Sequence, residues 1–303
     1  MISEKMERCP LIFGEVLFDH FPDGSAVLGG APFNVAWHLH AFGLNPLMIS
    51  RIGNDALGSK VERAMREWGM DCRGLQHDDV YPTGTVQVSF EGGEPAYEIV
   101  DQVAYDFIDD SLLPQLSGDW LLYHGSLALR HEASETALLK LKQIASSLFV
   151  DINLRTPWWQ RHSILSMIKG ADRIKLNEAE LAEIFPNADT DNERIALLAS
   201  SVSEQVILTG GEKGATAFPM QQGHPISIVP EKLSAITDTV GAGDAFCSVL
   251  VAGQLLNWPL EITMQRAQSF ASAVVGIRGA ASQDRSFYHQ FTRDWGIKDS
   301  EHV

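Results

Sequence analysis

The chain has 303 residues, 45% of them hydrophobic, which is enough for one large domain or one domain with a small appendage. Its formal net charge is −16, from 39 acids against 23 bases with no clustered run of bases, which argues against nucleic-acid and anionic-membrane partners. Three cysteines without a CxxC, no apolar run of about eighteen residues and an N-terminus unlike a secretory signal lead us to expect a soluble, cytoplasmic protein with reduced thiols.

In chain order, the apolar run "LIFGEVLF" predicts a strand, and "APFNVAWHLHAFG" a helix stopped at Gly43. The strand "PLMISRIG" follows, then the helix "DALGSKVERAMREWG", with Asp55 as its cap and Gly69 as its stop. "DWLLYHG", "LFVDINL", "RIKLN" and "EQVILTGG" are further strands, and "SETALLKLKQIASS", "EAELAEIF" and "GAGDAFCSVLVAGQLL" further helices. Strands alternating with helices predict an α/β fold with a mostly parallel central sheet covered on both faces. Two stretches break the rhythm. "TGTVQVSFEGGEPAYEIV" (Thr83–Val100) alternates, turns at Gly92-Gly93 and returns, and "FDHFPDGSAVLGG" (Phe18–Gly30) is centred on a turn. We expect residues 18–29 and 83–100 to form a small antiparallel β lid, with 1–17, 30–82 and 101–303 forming the α/β core.

Several familiar motifs are absent. "GNDALGSK" misses the phosphate-binding P-loop order, no GxGxxG follows a strand, and neither HExxH nor GxSxG occurs. His38 and His40 stand two apart on a helix and so face different ways. "DTVGAGDAF" (Asp238–Phe246) is more informative. Gly241, Ala242 and Gly243 let backbone N–H groups at a helix start approach phosphate, and Asp244 beside them could accept a hydroxyl proton. A tight turn with an acid favouring the helix dipole explains the same residues, and the short motif alone leaves both readings open.

"DTVGAGDAF" resembles the C-terminal signature of the PfkB/ribokinase family of carbohydrate kinases, and "GGAPFNVAWHLHAFG" with "SRIGNDALG" its N-terminal signature. "LTGGEKGA" and "LNEAE" between them are similar to family segments, and "FGEVLFDHFPDG" before "GGAPFN" looks most like the fructokinase branch. The resemblance implies a ribokinase-like three-layer sandwich and transfer of a phosphoryl group from ATP, with Mg²⁺, to a primary hydroxyl of a sugar, D-fructose first. Kinases for 2-keto-3-deoxygluconate, ribose, tagatose phosphate or nucleosides are the alternatives, as is a catalytically silent sugar-binding regulator.

By position, Asp244 matches the catalytic base, and Gly241, Ala242 and Gly243 the anion hole. Asp19, Gly30 and Asn34 match sugar-binding positions, and Tyr97 on the hairpin joins them. "VDINLR" resembles the family's D-x-N-x-R element. Asp151, Asn153 and Arg155 then alternate along an extended chain, with Arg155 set to neutralise phosphate charge. Asn177, Thr209, Gly211 and Gly214 match nucleotide contacts, and Glu180 a water-mediated contact to Mg²⁺. Asp238 and Val240 match a monovalent-cation site for K⁺, although "GIRGAASQD" resembles its other loop only loosely, and Phe33 stands where a smaller residue is common. Lids of this kind pair between subunits in the family, which implies a homodimer through the lid.

Overall fold

The structure, a computed structural model, describes residues 8–91, 94–230 and 239–297. The first third runs β1 (Cys9–Phe13), β2 (Leu17–His20), β3 (Ala26–Gly29), α1 (Ala31–Ala41), β4 (Leu47–Gly53), α2 (Ala56–Trp68), β5 (Leu75–Asp78), β6 (Gly84–Glu91) and β7 (Glu94–Ile99). The middle runs β8 (Trp120–His124), α3 (Glu132–Ile144), β9 (Ser147–Asp151), α4 (Arg161–Met167), β10 (Ala171–Asn177), α5 (Glu178–Ile184), α6 (Asp191–Leu198) and β11 (Val202–Thr209). The remainder is β12 (Ala215–Pro219), β13 (Ile226–Ile228), α7 (Ala242–Leu255), α8 (Leu260–Val275) and α9 (Arg285–Trp295).

Nine strands form one sheet in the order β13-β12-β11-β10-β9-β8-β1-β4-β5. Every pairing from β11 across to β5 is parallel, and only the β11–β12 and β12–β13 pairings at the far edge are antiparallel. Burial on both faces shows in β1 itself. Ile12 joins the apolar cluster under α1, α2, α7, α8 and α9, while Leu11 and Phe13 join the one under α3, α4, α5 and α6. This is the expected three-layer α/β sandwich, and it gathers the C-terminal ends of the parallel strands along one edge, where such sheets bind ligands.

The lid is a separate sheet in the order β3-β2-β6-β7. Its outer pairings, β2–β3 and β6–β7, are antiparallel, and the inner β2–β6 pairing is parallel. The run "LIFGEVLF", read as one strand, is therefore cut in two. Gly14 turns at φ 150°, where a Cβ would lie 2.4 Å from the Pro32 ring, and the chain passes from core to lid there. Asp55 caps α2 as expected, accepting from Gly58 N–H at 2.7 Å. Its other oxygen takes Thr83 N–H at 2.8 Å, tying the start of the hairpin to the core. No helix among the described residues is long and apolar enough to cross a membrane.

Candidate active site

The glycine turn and the acid after it are built as the motif suggests. Gly241 is the N-cap of α7 in the left-handed region, φ 81°, and a Cβ there would sit 2.4 Å from Ala280 Cα. Only glycine fits. Gly243 is different, because a Cβ would meet nothing nearer than Lys175 Nζ, at 3.5 Å. A Cβ there would face the buried Lys175 ammonium, so the missing side chain leaves that cation open to the first turn, where N–H groups point along the axis. We therefore expect Gly241→Ala to lower the melting temperature. Gly243→Val should fold normally yet lose turnover, because a β-branched side chain would fill the cradle. Melting curves beside kcat separate the two, and a fully active Gly243→Val would remove the cradle.

Asp244 is the third residue of α7. Its Oδ2 accepts from Asn34 Nδ2 at 2.8 Å, across 210 positions of sequence. Asn34 is held in turn because α1 opens at Gly30, φ 110°, whose carbonyl receives the Asn34 N–H at 2.8 Å. Burial pushes the Asp244 carboxyl up to about 6. Asp151 adds to the rise, while Asn34, Lys175 and Arg155 oppose it. A carboxylate poised near 6 remains ionised at neutral pH and is a better proton acceptor than an ordinary aspartate.

A buried network lies beneath the glycine turn. Lys175 Nζ contacts Asp151 Oδ1 at 3.1 Å, and Asp151 Oδ2 takes the Tyr123 hydroxyl at 3.2 Å and Cys247 Sγ at 3.3 Å. Burial alone would lower the Lys175 pKa, but Asp151, Cys247 and Glu180 raise it, so the ammonium stays charged below Gly243. Sequence reasoning did not single out Lys175. The signal was present, since a lysine between Ile174 and Leu176 in a central strand is rarely buried without a partner.

Across the cleft, Asp19 stands on β2 opposite Val86 of β6, and Val88 of β6 is opposite Tyr97 of β7. Directly paired residues share a face, so Asp19, Val86, Val88 and Tyr97 all line the same side of the lid. Val86 and Val88 on this face are buried, Asp19 is half-buried, and Tyr97 at its outer end is exposed. Burial raises the Asp19 pKa, against the influence of Arg155 and His20. One expectation fails here. β9 ends at Asp151, and Asn153 turns at φ 41°, so the D-x-N-x-R residues do not share the face of an extended strand. Asp151 points into the core, while Arg155 is exposed and donates through Nη1 to the Leu154 carbonyl at 3.0 Å.

Asn177 caps α5, its side chain accepting Glu180 N–H at 2.8 Å. Glu180 is buried, which raises its pKa, and its two oxygens take Leu154 N–H at 2.9 Å and Asn177 N–H at 2.8 Å. With both oxygens engaged, it could meet a metal through water without breaking either bond. Thr209 ends β11, and the following turn depends on Gly214, φ 90°, where a Cβ would lie 1.9 Å from the Ile228 carbonyl oxygen. Gly211, φ 59°, faces open space. Val240 is exposed beside Gly241, and Asp238 lies outside the described residues. The loosely matching C-terminal loop does pack on Gly241. However, His38 Nε2 meets its Ala280 carbonyl at 3.1 Å and Trp37 Nε1 its Ser282 carbonyl at 2.9 Å. Both carbonyls therefore carry side-chain partners.

A parallel α/β sandwich with a β lid over a glycine turn and a buried acid defines a phosphotransferase of the ribokinase type. The chain belongs to the pfkB family of carbohydrate kinases, whose pattern matches residues 8–285. It is 30% identical over 258 residues to a fructokinase of Klebsiella pneumoniae, covering 80% of this chain and 83% of that one. A sugar kinase of Pyrococcus horikoshii solved with ATP is similar at 25% identity and TM-score 0.76, over 89% of this chain and 93% of that one. A Vibrio cholerae fructokinase solved with fructose, ADP and calcium shares the fold, with TM-score 0.81 at 23% identity over 94% and 99% of the two chains.

Proposed function

We propose that this carbohydrate kinase transfers the γ-phosphoryl group of ATP to a primary hydroxyl of D-fructose, giving fructose 6-phosphate. The observation that carries the reading is the Asp244 carboxylate, fixed by Asn34 at the open glycine turn of α7. Asp244 accepts the proton of the attacking hydroxyl as the oxygen closes on phosphorus. The N–H groups of the first turn of α7, with the Lys175 ammonium beneath, stabilise charge on the group in transfer. Arg155 stands across from them as a second cation, and Asn177, Thr209, Gly211 and Gly214 line the donor's end. Glu180, through water, would hold Mg²⁺ carried with ATP, which would supply positive charge against the phosphates.

D-Fructose is favoured by the fructokinase relative and by the acceptor end itself. Asp19, Gly30, Asn34 and Tyr97 offer hydroxyl acceptors, donors and an aromatic face, with Arg155 as the cation whose influence reaches Asp19 and Asp244. ADP release from Mg-ATP, measured across a sugar panel, tests the choice. D-Fructose is expected to give the highest kcat/KM. A tenfold better 2-keto-3-deoxygluconate, ribose or nucleoside would reassign the acceptor, and no ADP with any sugar would favour a silent regulator.

A further inference from the structure

Glu15 lies between β1 and β2, where the chain leaves the core for the lid, and it is only 4% exposed. The backbone at Glu15 itself and at Ala31, the residue at which the chain re-enters the core from the lid, favours its ionised form. Oε2 has no hydrogen-bond partner among the described residues. A buried carboxylate oxygen without a donor is costly, and costly groups persist where function needs them. The charged and titratable groups that face it are Arg155 after β9, Asp244 on α7 and Tyr105 below the lid. Arg155 alone is attractive. Its guanidinium is exposed, held among the described residues by its neighbour's carbonyl, and its influence also reaches Asp19 on the lid.

We propose that Glu15 is a positioning residue whose free Oε2 receives the Arg155 guanidinium when the lid closes over the sugar, drawing that cation out of solvent and latching both lid junctions. The inference rests on the kinase reading above. The latch requires the carboxylate to be ionised. Burial pushes Glu15 up to about 7, Asp244 adds to the rise and Arg155 opposes it, so closure at lower pH releases one proton to solvent.

The test is Glu15→Gln, which keeps the shape and removes the charge. The sugar KM should rise about tenfold or more, the loss expected of one charge-assisted hydrogen bond, with kcat changed less. Arg155→Gln should raise the sugar KM by a similar factor and, because Arg155 also faces the group in transfer, lower kcat as well; in KM the double variant should be no worse than the poorer single variant. In the parent, log(kcat/KM) for the sugar should fall at acid pH with a limiting slope of two, one proton for Asp244 and one for Glu15. In Glu15→Gln the slope should be one. A merely structural role would leave the slope at two, and losses that multiply in the double variant would show that the two side chains act independently. Either result overturns the latch. Should Glu15→Gln not fold, Arg155→Gln at its exposed position carries the slope measurement.

Melting curves without substrate separate failure of the latch from failure of the kinase reading. The Glu15 pKa is raised on folding, so the stability gained from its neutral form is complete below the unfolded value of 4.5 and lost as pH rises through about 7. Glu15→Gln, permanently neutral, should therefore melt higher than the parent at pH 8 and level with it at pH 4. A lower melting temperature at pH 8 would remove the buried charge from the argument, whatever the turnover.

Discussion

Asp244→Asn is expected to bind ATP and sugar within a few-fold of the parent and to lose about 10²–10⁴ of kcat, the usual worth of a general base. The substitution changes one oxygen to a nitrogen. The Asn34 side chain that donates to Oδ2 can meet the new amide's oxygen, so the glycine turn and α1 stay in place. Only the ability to accept a proton is lost. Binding by calorimetry beside kcat separates this from a disordered site, and a variant retaining more than roughly a tenth of kcat would make another group the base. The pH dependence has a definite sign. Asp244 must be ionised to act, its pKa is raised to about 6, and parent kcat/KM should be lost as pH falls through that value. The same raised value means that folding gains from protonation, a gain lost between the unfolded 3.8 and about 6. At pH 8 the asparagine variant should accordingly melt no lower than the parent.

The second large effect falls on stability. Lys175→Met should cost about 3–5 kcal/mol, because it leaves Asp151 as a buried charge without a counter-ion. Domains of ordinary stability hold only about 5–15 kcal/mol in all, so the urea midpoint should move sharply at an unchanged m-value. Tyr123 and Cys247 still donate to Asp151 Oδ2 but bring no full charge. Adding Asp151→Asn should recover part of the loss, since removing both charges is far less costly than removing one. A Lys175→Met protein as stable as the parent would mean that water or a shifted side chain compensates Asp151. Whatever enzyme remains should show its acid limb at higher pH, because Lys175 is one of the groups that lower the Asp244 pKa.

Local pattern carried much of the fold. The hairpin of β6 and β7 was legible because Val86 and Val88 alternate toward the core; the Gly92-Gly93 turn expected between them lies outside the described residues. The parallel β2–β6 pairing was not, since it joins segments far apart in the chain and neither strand's periodicity names its partner. Hydrophobicity could not see the break in "LIFGEVLF", because Val16 and Leu17 on its far side are as buried as Ile12 before it. Gly14 and Glu15 were the available clue, a glycine and an acid interrupting an apolar run. At the site, Gly241, Ala242, Gly243, Asp244 and Asn34 could be placed from motif resemblance, and the structure brings Asn34 onto Asp244. The face assigned to Asn153 failed because alternation was assumed past the strand's end, although asparagine tolerates the left-handed region better than most residues. Lys175 fell outside the motifs, and Glu15, although inside the quoted "FGEVLFDHFPDG", was given no role; only their burial draws notice to them.

Helix α1 has one further consequence. Asn34 on it steadies the base, and Trp37 and His38, one turn further on, hold the loop that packs against Gly241. Residues 32 to 40 of the helix are buried throughout. The two halves of the chemistry therefore hang from a single element that cannot loosen by itself, since opening it exposes the centre of the core. In the language of partial unfolding, base and cradle belong to the last cooperative unit to open, while the lid, a four-stranded sheet of short strands, belongs to an early one. The lid side of the proposed site should thus open before the core does, while the Asn34–Asp244 contact, set in the buried helix, should persist longer.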